Sequence, residues 1–149
     1  MGILAKNRRA AFDYKLLDKY NAGIVLTGQE VKSVKTGHIS LKGSFVTLKN
    51  NELYLTNAAI PPYKHAGELK NYDSSRSRKL LLKKSEIKSL IGKIRARGLT
   101  LVPIQVYTKK SLIKLQFAVA RGKKQYDKRE NIKKKETQRK IKRTLKQNF

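Results

Sequence analysis

Apolar and polar positions alternate most regularly in "SFVTLKNNELYLTNAAI", residues 44–60, on both sides of Asn50 and Asn51. A period of two is that of a half-buried strand, and paired Asn residues tolerate positive φ, so this stretch predicts a two-strand hairpin with a tight turn. "LTLVPIQVYTKKSLIKLQFAVARG" predicts two longer strands around "KKS", with Pro103 at an edge or a bulge because it cannot donate to a ladder. Residues 12–26 read as two more strands around a turn at "YNAG", and "KLLL" at 79–82 as a further short one.

Two segments carry the helical period instead. Thr27 and Glu30 have capping-box spacing and Gly37 closes the stretch, which predicts a helix of about two turns. Ser85 is placed to cap a second helix, in which Ile87, Leu90, Ile91 and Ile94 share one face before Gly98 ends it. Residues 61–78 show no period and read as a long loop. The sum is a mainly β chain of about six strands with two or three flanking helices. Closure into a small OB-like antiparallel barrel would remove exposed edges, although other β-rich arrangements fit the spacing alone.

That barrel is assigned to residues 1–120, and residues 121–149 form a basic tail. The tail has 13 Lys and Arg against 3 Asp and Glu, with Tyr126, Ile132, Ile141, Leu145 and Phe149 as its only large apolar residues. It cannot bury enough surface to offset its ordering entropy, so it is expected to be disordered alone. Glu130 with Lys134 and Glu136 with Lys140 are i, i+4 pairs, so a helix is expected once phosphates neutralise the charge. Net charge is +26 overall and +16 on residues 1–120, which points the body as well as the tail at a polyanion. No cysteine is present, and His38 and His65 are far apart in sequence, so no metal or cofactor is expected. No stretch approaches a membrane span, and a cytoplasmic protein is expected.

A search for chemistry returns no nucleophile elbow, phosphate loop or zinc motif, and the ten acidic residues are scattered among lysines as ion-pair partners. No catalytic residue is expected. Basic clusters at "KNRR" 6–9, "RSRK" 76–79, "KK" 83–84 and "RGKK" 121–124 each lie at the border of an element, with Tyr72 and Tyr126 near enough to stack on bases. Any one of them could be a solvated face; four together favour nucleic-acid binding. A transient RNA carrier, a protein that permanently wraps ribosomal RNA and a general single-strand binder all fit this far.

The motifs "GIVLTGQEVKSVKTG", "RKLLLKK", "GLTLVPIQVY" and "ARGKKQYDKRENIKK", in this order from Asn7 into the tail, resemble the SsrA-binding protein (small protein B) family. The resemblance implies a non-enzymatic OB-like barrel that binds the tRNA-like end of transfer-messenger RNA and brings it, with an elongation factor on the charged RNA, to stalled ribosomes. By motif, the RNA surface would include Asn7, Arg8, Arg9, Asn21, Glu30, Lys32, Arg76, Arg78, Lys79, Leu81, Arg121, Gly122, Lys123 and Lys124. Tyr126, Asp127, Lys128, Arg129, Ile132, Lys133, Lys134 and Arg139 would belong to a tail that enters the empty message channel near the decoding centre, against small-subunit rRNA. Members commonly have His at the position of Phe12 and Glu at that of Asn21. Phe12 stacks but donates no hydrogen bond, and Asn21 keeps donor and acceptor capacity without the charge.

Overall fold

Asn50 and Asn51 take φ of 51° and 60° and reverse the chain between two strands, as their sequence predicts. A computed structural model describes residues 2–64, 72–122 and 135–141, with the backbone alone at 96 and 97. In chain order the elements are β1 (Gly2–Lys6), α1 (Ala10–Asp13), β2 (Tyr14–Ile24), α2 (Gly28–Lys35), β3 (Phe45–Lys49), β4 (Glu52–Thr56), β5 (Arg78–Leu81), α3 (Lys84–Arg97), β6 (Thr100–Lys109) and β7 (Leu112–Gly122). Residues 135–141 add a short helical stretch in the tail. None of the described helices is long and apolar enough to cross a membrane.

All strand pairs are antiparallel, and β6, β3, β4, β5, β2 and β7 follow one another around a ring that β7 closes on β6. The expected barrel therefore forms. The seventh strand, β1, was not predicted: it lies on the edge of β6 beyond the point where β3 leaves it. Leu101 pairs with Val46 of β3, whereas Gln105 to Thr108 pair with β1. Between these stretches the β6–β7 register shifts at Pro103 and Gln105, so the residue with no N–H falls where the strand changes partner.

The "YNAG" turn is not formed. Asn21, Ala22 and Gly23 lie in the middle of one eleven-residue strand, β2, opposite Gln116, Leu115 and Lys114 of β7. The residues have turn chemistry, but ladders on both edges, from β7 and from β5 at Gly23 and Ile24, hold them extended. Inward side chains fill the ring with Leu53, Leu55, Val106, Leu115 and Phe117, each no more than 1% exposed, and Val34 of α2 and Leu90 of α3 join the same core.

The α2 prediction holds, with both halves of the capping box formed between Thr27 and Glu30 and with Gly37 at φ 84°. Ser85 does not cap α3: Lys83 is the N-cap residue, in extended conformation, and its carbonyl accepts the first helical bond, from Ile87 N, at 3.1 Å. Gly98 ends the helix at φ 59°. Lys93 locks α3 to the barrel, bonding Asp18 at 2.8 Å and the Tyr20 hydroxyl at 2.7 Å.

Candidate nucleic-acid interface

Glu30 lies in the first turn of α2 with 1% of its side chain exposed, and a bare carboxylate so enclosed would be costly. Its oxygens are fully used. Oε1 accepts from Thr27 N at 3.0 Å and from Arg76 Nη2, and Oε2 accepts from Arg78 Nε at 2.7 Å. Arg78 is 0% exposed and spends its remaining donors on Ala58 O at 2.8 Å and Ser74 O at 2.9 Å. Burial pushes the Glu30 carboxyl up, but the Arg76, Thr27 and Arg78 bonds outweigh it and hold the group below the ordinary glutamate range.

Two expected RNA-surface residues, Glu30 and Arg78, are thus placed beneath the surface. Each side-chain nitrogen and oxygen of the two is bonded inside the fold, and what they position is Arg76, whose side chain is 38% exposed. The same bonds tie down the described ends of the 61–77 loop. Tyr72, expected to stack on a base, is half-buried and donates its hydroxyl to Ile60 O at 2.6 Å. Ser33 donates to Pro61 O at 2.8 Å.

The accessible residues fall into two sets. Asn21, Lys79 and Leu81 share the outer face of β2 and β5, with Leu81 opposite Gly23 and 53% exposed. Lys79 pairs with Glu52 at 3.0 Å. Lys32 stands on the exposed side of α2 with its Nζ 5.8 Å from the centre of the Tyr63 ring.

The second set runs from the Pro103 bulge of β6 to the start of β2. Asn7 is pinned on the Pro103 bulge, donating through Nδ2 to Pro103 O at 2.9 Å and through its backbone N to Ile104 O at 2.7 Å. That anchor projects Arg8 and Arg9 outward, and the Arg9 guanidinium lies 4.8 Å from the centre of the Phe12 ring. Arg121 and Gly122 are exposed at the end of β7, opposite Lys15 and Tyr14, beside the same short helix. From Tyr14 to Asn21 the strand runs seven residue steps, about 23 Å at strand rise, so Arg121 and Gly122 lie well away from Asn21. Asn7, by contrast, follows Lys6, which is in register with Gln105 and through Gln116 with Asn21, so the second set starts beside the first and runs away from it.

Lys123, Lys124, Tyr126, Asp127, Lys128, Arg129, Ile132, Lys133 and Lys134 lie outside the described residues, and so does His65. Arg139 lies in the exposed helical stretch 135–141. Among the described residues no three His, Cys, Asp or Glu side chains come together as a metal would need. Sequence reading missed Gln105 and Gln116, which face outward beside Asn21. Their signal is a lone amide in an apolar strand, "IQVY" and "KLQFAV".

Comparison with known proteins gives a consistent result. The family model described as SmpB protein matches residues 4–147. SsrA-binding proteins of Trichodesmium erythraeum, Enterococcus faecalis and Thermosipho africanus are 46%, 48% and 48% identical. They cover 97%, 98% and 99% of this chain and 93%, 94% and 99% of their own lengths. A solved chain described as "tmRNA-SmpB: a journey to the center of the bacterial ribosome" superposes with a TM-score of 0.65 at 46% identity, over 80% of this chain and 84% of that one. With a matching fold and a match along nearly the whole chain, the chain belongs to the SmpB, or SsrA-binding protein, family.

Proposed function

We propose that this protein binds transfer-messenger RNA and acts with it on the ribosome in trans-translation. The observation that carries this is membership of the SsrA-binding family along nearly the whole chain, residues 4–147. The exposed residues support it: a protein that couples one RNA to another needs an extended surface, and here exposed polar and basic side chains run from Asn21, Lys79 and Leu81 on β2 and β5 to Arg121 at the far end of β7.

In finer detail, the face built on Asn21, Lys79 and Leu81 takes the tRNA-like end of the RNA. The set around Asn7, Arg9 and Arg121 faces small-subunit rRNA, with Phe12 able to stack on a base. The tail beyond Gly122 probes the message channel near the decoding centre, and the complex arrives with an elongation factor on the charged RNA.

A reconstituted rescue assay tests both levels. The full chain should bind the tRNA-like RNA well above an unstructured homopolymer and support peptide transfer on ribosomes lacking message past the decoding site. Deleting residues 127–149 should leave RNA binding within a few-fold and abolish transfer at any protein concentration. Equal binding of homopolymer would defeat the first statement, and full transfer by the truncated protein would defeat the tail's role.

A further inference from the structure

Asn21, Gln116 and Gln105 form a row across three neighbouring strands. Asn21 on β2 is in register with Gln116 on β7, which is in register with Gln105 on β6. Their chain neighbours Ala22, Leu115, Phe117 and Val106 are at most 1% exposed and point into the barrel, so the three amides point out. Strand spacing sets them about 5 Å apart, a row of about 10 Å.

One amide is oriented. Tyr107, two residues beyond Gln105 on the same face, reaches across β7 and donates its hydroxyl to Asn21 Oδ1 at 2.8 Å. With Oδ1 engaged, the Asn21 Nδ2 is left as an outward donor. The Gln105 and Gln116 amides have no hydrogen-bond partner among the described residues.

Lysines bracket the row. Lys6 of β1 is paired with Gln105 at one end. Lys19 and Lys114 lie two residues from Asn21 and Gln116 on the same face. Cations on the flanks of a flat strip of amides fit two phosphate backbones with a groove between them. In folded RNA the accessible groove is the wide, shallow minor groove, which displays 2′-hydroxyls and base edges that both donate and accept.

We infer that the Asn21–Gln116–Gln105 row lies in the minor groove of the bound RNA's paired arm and hydrogen-bonds its 2′-hydroxyls and base edges. This deepens the functional reading above and rests on it. The row supplies the part of recognition that salt does not screen and that separates RNA from DNA, while the lysines supply the part that salt does screen.

The test measures affinity for a transcribed tRNA-like RNA, and for the same RNA made with 2′-deoxyriboses in its paired arm, over a range of salt. The triple variant Asn21→Ala, Gln105→Ala, Gln116→Ala should bind the all-ribose RNA about 10- to 100-fold more weakly, with an unchanged log–log salt slope. It should also lose the wild type's preference for ribose over deoxyribose. Lys19→Ala with Lys114→Ala should instead lower the slope by about 1.4 to 1.8 and keep that preference. Asn21→Asp keeps an acceptor for Tyr107 but turns the outward donor into an anion, and should weaken binding at least as much as Asn21→Ala does. Far-ultraviolet circular dichroism should match the wild type for every variant, since these side chains leave the core intact. Equal affinity of triple variant and wild type, or a ribose preference retained by the triple variant, overturns the row while the functional reading stands. Failure of the wild type to bind the all-ribose RNA at all overturns both.

Discussion

Arg78 and Arg9 each face a carboxylate, but Arg78 exposes none of its side chain and Arg9 exposes 71%. In sequence the clusters "RSRK" and "KNRR" look alike. In the fold, β5 carries Arg78 inward at the alternate position to Leu81, so its charge must be met entirely by protein: Glu30, Ala58 and Ser74. Arg9 follows the Asn7 anchor into a short helix, bonds Asp13 at only 3.4 Å and remains open to an incoming phosphate. A basic cluster in a polyanion-binding protein can thus divide its labour, with one arginine holding the scaffold so that its neighbours are presented.

The largest effect should come from breaking the buried member of this comparison. Glu30→Ala leaves Arg78 enclosed with no counter-charge, a change that typically costs about 3–5 kcal/mol. Urea unfolding would measure it, and a loss below about 1 kcal/mol would show that the cluster is less enclosed than its exposure implies.

The same carboxylate should set an acid limit on stability. Its folded pKa lies below its unfolded value of about 4.3, so its stabilisation is fully present above that pH and is lost as the pH falls through the folded value. The midpoint temperature of the wild type should drop through this window, and Glu30→Gln, already destabilised at neutral pH, should show a flatter profile there.

The exposed member should behave in the opposite way. Arg8→Ala with Arg9→Ala should change stability by no more than about 0.5 kcal/mol, as expected for surface substitutions. If both guanidiniums meet phosphates of small-subunit rRNA, the log–log salt slope for binding to the small ribosomal subunit should fall by about 1.4–1.8. An unchanged slope would remove this end of β2 from the RNA surface. Thr27→Ala tests a smaller support of the buried cluster: it removes the cap that holds the Glu30 backbone and should cost about 1 kcal/mol of unfolding free energy.

What could be read ahead of the fold was local. The Asn50–Asn51 hairpin and the Thr27–Glu30 box are each specified within a few residues, and both formed as read. What could not be read depends on distant partners. β1 exists because β6 lies beside it about a hundred residues later, and "YNAG" stays straight because β5 and β7 pair on its two sides. The inward course of Arg78 follows from the period of two along β5, yet nothing local says that Glu30 waits there. The outward amide row is harder still, since no two of its members share a strand.

The smallest effect should come from Asp13, the half-buried counterpart of Glu30, 28% exposed. Its bonds to Arg9 are 3.4 Å long, and solvent screens an exposed pair of this kind to about 0–1 kcal/mol. Asp13→Asn should therefore shift the unfolding free energy by only a few tenths of a kcal/mol, about a tenth of the Glu30→Ala effect. RNA affinity should move the other way. Removing the carboxylate takes a negative charge from beside the Asn7–Arg9 segment and releases the guanidinium for phosphate, so binding should tighten by about two- to threefold at low salt and return to the wild-type value at high salt. A variant that loses stability as Glu30→Ala does, or one that weakens RNA binding, would show that Asp13 positions Arg9 rather than competes for it, and the contrast between a buried supporting pair and an exposed binding pair would fail.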